Sequence, residues 1–205
     1  MAHPGETLKT LLAGPAPDPA EIGSILDGLG LANKIAAVRA LSGTTLQGAL
    51  WRAAASAPPV AVSDMIPADY PRVRPLIFHG KNSLPAFSEF LKICFRPEQP
   101  EAGDVAWGYN ETRIRAVVGP GYYVLHDTPG AAGGGAAFDY TQLPQAKLPA
   151  WPEIRSNHAG LSRFVYDNMV DYMRRVAGEV FIGSAVRGGR EMGSYFVVVR
   201  ELLPR

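Results

Sequence analysis

A few residues in this chain have the chemistry to act on a small molecule. His126, in "YYVLHD", shares strand parity with Tyr122 and Val124. If that face lines a cavity, desolvation lowers the imidazole pKa and leaves a neutral base among aromatics. Tyr109 and Asn110, in "WGYNETR", can each polarise a carbonyl. With His126 as proton shuttle, the set describes a cofactor-independent isomerase or cyclase acting on a hydrophobic substrate. The plainer reading of His126 is a core or surface histidine held by one hydrogen bond. Arg113 and Arg115 occupy the strand face opposite Ile114, Ala116 and Val118. Turned inward, the two arginines would require an anionic ligand; turned outward, they are solvated.

Other motifs exclude more than they propose. "HGKNS" ends in Gly-Lys-x-Ser, but the position where a phosphate-binding loop needs its first glycine is Pro75, and an alternating run follows instead of a helix. Lys81, Asn82 and Ser83 are read at the rim of a barrel, where Lys81 meets an anionic group or faces solvent. The glycine run from Gly130 to Gly135 reads as a hairpin loop able to move as a lid. His3, His79, His126 and His158 have no helical i, i+4 pairing, and no Cys-x-x-Cys occurs, so no metal site is expected. Gly-x-Ser-x-Gly is absent as well. Cys94, the single cysteine, sits in "FLKICF" and reads as a buried, inert thiol. No cofactor is expected.

The elements that would position these groups fall into two parts. In residues 1–60, "DPAEIGSILDGLG" carries Asp18 as N-cap, Pro19 at the first helical position and Gly28 as a stop. "LANKIAAVRALS" and "TTLQGALWRAAASA" continue with helical apolar stripes. These helices hold only Lys34, Arg39 and Arg52 as basic residues, too few to track phosphates, so they read as a cap or a self-association surface rather than a DNA reader.

From residue 71 to 205 the pattern is of strands. "PAFSEFLKICF" alternates, with Phe87, Glu89, Leu91, Ile93 and Phe95 on one face and Ser88, Phe90, Lys92 and Cys94 on the other. "VRPLIFHGK" is the first strand candidate, and further strands are expected at 105–109, 112–118, 122–127 and 138–140. A helix with apolar residues at Leu161, Phe164, Val165, Met169, Tyr172 and Met173 follows, then two final strands, "EVFIGSAV" and "SYFVVVREL". About eight short, turn-linked, antiparallel strands are best closed into a barrel, which removes exposed edges and leaves room for side chains or one small ligand.

Composition agrees with a packed soluble chain. The 205 residues are 47% hydrophobic and 19% charged, with a net charge of +1. That balance predicts a real core and no electrostatic footprint for nucleic acid. Gly 22 and Pro 18 fit many turns. The N-terminus lacks a basic start and a long apolar core, and no run reaches the ~18 apolar residues of a membrane span, so a cytoplasmic location is expected.

"FDYTQLP", "MVDYMRRV", "VFIGSAV" and "YFVVVREL" together resemble the ending of bacterial lipocalin-like barrels of the GXWXG type, broadly similar to nitrobindin and the fatty-acid-binding calycins. The resemblance spans roughly Pro71 to Leu203. It implies a barrel with a hydrophobic cavity, often without an enzymatic role. Where that family carries Gly-x-Trp-x-Gly this chain has "FHGKN", Phe78 to Asn82, with only Gly80 in place. No histidine matches a haem ligand, so haem is not implied. The expectation is an α+β protein: a helical segment, then a calycin-like barrel of about eight strands with one late helix. It would bind a small hydrophobic or amphipathic molecule against Phe87, Trp107, Tyr109, Tyr122, His126 and Tyr166, with Lys81 and Asn82 at the mouth. A filled barrel acting as an interaction protein is the remaining reading.

Overall fold

The computed structural model describes residues 4–85, 88–99, 105–130 and 135–203. Four helices come first: α1 (Pro4–Ala13), α2 (Pro19–Asp27), α3 (Leu31–Arg39) and α4 (Thr44–Ala53), followed by the single turn α5 (Val62–Met65). Eight strands then form one closed antiparallel barrel in chain order: β1 (Leu76–Asn82), β2 (Glu89–Phe95), β3 (Ala106–Glu111), β4 (Tyr123–Asp127), β5 (Ala136–Asp139), β6 (Met169–Arg175), β7 (Val180–Arg187) and β8 (Arg190–Glu201). Closure is made by β1 against β8, from Ile77 opposite Glu201 to Asn82 opposite Phe196. Two more short helices, α6 (Arg115–Val118) and α7 (Ser162–Val165), lie in the connections that precede β4 and β6. Among the described residues no helix is long and apolar enough to cross a membrane.

The helix ends follow local chemistry. Asp18 accepts a hydrogen bond from the Ala20 backbone N–H at 2.9 Å, and Pro19 opens α2. Helix α1 is an addition to the three helices that the apolar stripes predict. The stripes of α1 to α4 are spent on the outside of the barrel, where Leu8, Ile22, Leu26, Val38 and Leu50 pack with Val180, Ile182, Val197 and Val199 of β7 and β8. Buried Gln47 ties α4 to the barrel by donating to the carbonyls of Leu41 and Lys81. The Arg174 guanidinium lies 3.7 Å from the centre of the Trp51 ring and donates to the Trp51 carbonyl.

Two expected elements are corrected. The strand expected at 112–118 is a turn followed by α6, so Arg113 is exposed and Arg115 pairs with Glu111 at 2.9 Å. The long late helix divides into α7 and β6, with Asn168 in the left-handed region (φ 52°) between them. Apolar residues at 169, 172 and 173 satisfy a helical period. The same stretch also alternates once Asp171 counts as an interior residue beside Met169 and Met173. Non-local pairing decides between the two: β6 bridges β5 and β7, with Asp171 opposite both Phe138 and Ala185.

The connection between α4 and β1 crosses one end of the barrel and plugs it. Val60, Val62, Met65, Ile66 and Tyr70 join the interior cluster containing Leu76, Phe78, Leu125, Phe138 and Phe181. Asp127 accepts a 2.7 Å hydrogen bond from the Val62 N–H, and Arg200 donates to the carbonyls of Asp64 and Met65, pinning the plug. At the opposite end α6 and α7 form a rim, joined by the Ser162 hydroxyl donating to the Val118 carbonyl at 2.5 Å.

Candidate functional site

The unplugged half of the barrel is hollow. A cavity of about 420 Å³ lies between Phe90, Phe196, Tyr166, Met169 and Ala185, within the ~300–1,000 Å³ typical of small-molecule sites. Its mouth is edged by Leu84, Phe164 and Met192, all exposed. Two glycines shape the inner wall. Gly80 faces Phe90 across β1–β2, and Gly183 faces Phe196 across β7–β8. A Cβ at either glycine would collide with the facing ring. Without it, the two rings fold over the backbone and meet edge to face at 5.8 Å.

The cavity floor is polar. Lys92 of β2 points inward and donates to Asn110 Oδ1 at 3.2 Å, to Asp171 Oδ2 at 3.3 Å and to the Tyr140 hydroxyl. Asn110 stands opposite Lys92 in the β2–β3 register, whereas Asp171 reaches it from across the barrel. The Asn110 amide donates to the Tyr140 hydroxyl at 3.0 Å and to the Gly121 carbonyl at 3.1 Å. Tyr166 stacks on Tyr140 at 5.2 Å. Rings of Phe138, Tyr140, Phe196 and Tyr123 surround the Lys92 ammonium position at 4.5 to 5.1 Å.

Burial moves the charges of this floor toward neutrality. Desolvation pushes the Lys92 amine below its ordinary pKa, opposed by Asp171. Desolvation pushes the Asp171 carboxyl up, opposed by Lys92 and by the Tyr140 hydrogen bond. The two shifts run toward each other, and the groups titrate as a coupled pair. Burial also holds Tyr140 and Tyr166 well above the usual phenol range. At an effective dielectric near 20, two charges 3.3 Å apart attract by ~5 kcal/mol. Desolvating both groups costs several kcal/mol each, so the pair is a poor device for stability.

The residues expected to form the site divide between this cavity and the outside of the barrel. Asn82 and Tyr166 line the cavity. Phe87 lies outside the described residues, as do 131–134 of the glycine run. Trp107, Tyr109, Tyr122 and His126 do share a face, but it is the outer one. β3 turns Ala106, Gly108 and Asn110 inward, and β4 turns Tyr123 and Leu125 inward. The large outer residues are covered by the proline-rich connection after β5. Trp151 packs on Phe95 and Tyr109 at 5.2 and 4.9 Å, and Tyr122 donates to the Pro152 carbonyl at 2.5 Å. Asn157 anchors the same connection by donating to the carbonyls of Tyr122 and Tyr140, each at 2.8 Å. His126 pairs with Asp139 on the outer surface, Nε2 to Oδ2 at 3.3 Å. Burial would raise Asp139, yet hydrogen bonds from His126, Thr141 and Gln142 prevail and bring its pKa down to about 2. Lys81 is buried and does not line the cavity; its carbonyl receives Gln47.

Lys92 and Tyr140 are functional candidates absent from the sequence expectations. Lys92 is a single charge on the same strand face as Phe90 and Cys94, and that incongruity is its sequence signal. Asp171 is one of the polar residues, with Tyr166, Asn168 and Tyr172, that the segment offers when read as a helix, without a role assigned to it. Cys94 is fully buried, and burial pushes its thiol up to about 12. Among the described residues no three His, Cys, Asp or Glu side chains gather to hold a metal ion. No protein-family model, curated protein or solved structure matches the chain.

Proposed function

We propose that this protein binds a small, largely apolar molecule carrying one polar group, in the open half of a calycin-like barrel. The observation that carries this reading is the division within one cavity: apolar walls of Phe90, Phe196, Met169 and Tyr166 above a floor of Lys92, Asn110, Tyr140 and Asp171. The apolar body of a ligand would contact the rings and displace little-bound water. Its polar end would meet the floor, where donors and an acceptor are already held in place and need no further ordering. The exposed apolar mouth suits a ligand that enters from an apolar carrier or surface.

The experiment is native mass spectrometry on protein purified gently from its own source, paired with titration of an environment-sensitive apolar dye. The expected result is a retained mass of a few hundred daltons, or a stoichiometric dye site that small amphiphiles displace. A chain with no retained mass and no saturable dye site would leave the reading without support. A second reading, a cofactor-independent isomerase or cyclase, draws on the same floor. Lys92 and Asp171 would exchange the proton and Asn110 or Tyr140 would polarise the carbonyl, with His126 outside the reaction.

A further inference from the structure

The polar floor invites a question about its one amine. Lys9 and Lys147 each pair with a glutamate at the surface, Lys34 is buried but pairs with Glu179 away from the cavity, and Lys81 is directed away from the cavity. Lys92 alone among the lysines lines the hollow. It sits there with a carboxyl group, a phenol and a carboxamide within hydrogen-bonding distance. A purely structural ion pair would do as well sealed in the plugged half of the barrel, among Leu76, Phe78 and Phe181. This one borders a cavity of about 420 Å³ in which a guest could reach it.

We infer that the Lys92 ε-amine condenses reversibly with the carbonyl of an aldehyde or ketone held in the cavity, forming an imine. The inference rests on the proposed binding function and specifies its ligand class: a carbonyl compound with an apolar or aromatic body. The step balances with the groups present. The Lys92 ammonium passes a proton to the Asp171 carboxylate, leaving a neutral amine and a carboxylic acid. The nitrogen lone pair attacks the carbonyl carbon, the C=O π electrons move to oxygen, and proton transfer gives a neutral carbinolamine. The Asp171 carboxylic acid then protonates the hydroxyl, the C–O bond breaks and water leaves. The product is a protonated imine with Asp171 as its counter-ion. The Tyr140 hydroxyl, oriented by the Asn110 amide that donates to it, is placed to hold the carbonyl oxygen as it gains charge. The downward pressure of burial on Lys92 and the upward pressure on Asp171 favour the neutral pair that the first step needs.

The test uses the full chain, octanal as probe and cyanoborohydride as trapping agent, with octan-1-ol as a carbonyl-free control. Intact mass and peptide mapping report the adduct, while dye displacement reports occupancy. The expected result is one octyl group on Lys92 at octanal concentrations that leave Lys9 and Lys147 unmodified. Lys92→Met paired with Asp171→Leu, a double variant that leaves no unpaired charge, should take up no octyl group at this site while melting at or above the temperature of the starting chain. Asp171→Asn should slow trapping by ~10²-fold at equal occupancy, the scale of general acid–base assistance. Octanal that displaces dye yet is trapped only at Lys9, Lys34, Lys147 or the chain terminus would overturn the imine while leaving the binding function standing. Octanal and octan-1-ol that both fail to displace dye, with Lys92 unmodified, would overturn both.

Discussion

The two halves of the barrel interior are built from the same eight strands and differ in what fills them. In the plugged half, Phe78 meets Phe138 and Phe181 edge to face at 6.0 and 6.3 Å, and Tyr123 meets Phe138 at 4.9 Å. The segment from Val60 to Tyr70 closes the end. In the open half, Gly80, Gly183 and Ala185 withhold volume, and a buried ion pair replaces apolar contact. One end is optimised for packing. The other gives up contact and buries a Lys–Asp pair, which a core built for stability avoids.

Substitutions in the two halves should therefore differ in size. Phe138→Ala, in the filled half, should lower stability by ~3–5 kcal/mol, a fall in Tm of roughly 10 °C. Phe90→Ala, on the cavity wall, should cost only ~1–2 kcal/mol, because its ring is part-exposed and already borders a void. Denaturant melts of both variants check this, and equal losses would erase the distinction between the halves.

The ion pair sharpens the contrast. Asp171→Leu alone leaves Lys92 without its carboxyl partner and should cost ~3–5 kcal/mol, whereas adding Lys92→Met should restore or exceed the starting stability. A double variant no more stable than the single one would make the pair a structural strut.

A smaller effect lies on the outer wall. Asp139 has a folded pKa of about 2 against an ordinary value of 3.8. A carboxyl whose pKa is depressed by folding stabilises the fold above its unfolded pKa. Its contribution is complete above about pH 4 and is lost as the pH falls toward 2. Asp139→Asn should flatten that part of the acid-stability profile, measured by melts from pH 5 to 2, and leave cavity binding unchanged.

How far the sequence is legible depends on range. The boundaries of α2 are set locally by Asp18 and Pro19 at one end and Gly28 at the other, and they read directly. The alternation of β2 reads directly too. Which of its faces is interior does not, because a period of two defines two faces and leaves the choice between them to partners elsewhere. Trp107, Tyr109 and Tyr122 look like cavity lining until Trp151 and Pro152, far along the chain, cover them from outside. The Lys92–Asp171 pair spans 79 positions and two strands that are not neighbours. Only the closed curvature of the sheet brings the two together. The β6 stretch reads as helix from its apolar spacing, and pairing with β5 and β7 makes it a strand.

The most direct test of a hollow half that receives a guest is to fill it. Ala185 is nearly buried and lines the cavity from β7. Ala185→Trp should place an indole in the void, abolish saturable binding of an apolar dye and cost no more than ~1–3 kcal/mol of stability, which leaves the chain folded. Unchanged dye affinity in a folded Ala185→Trp chain would place any binding elsewhere and contradict the account.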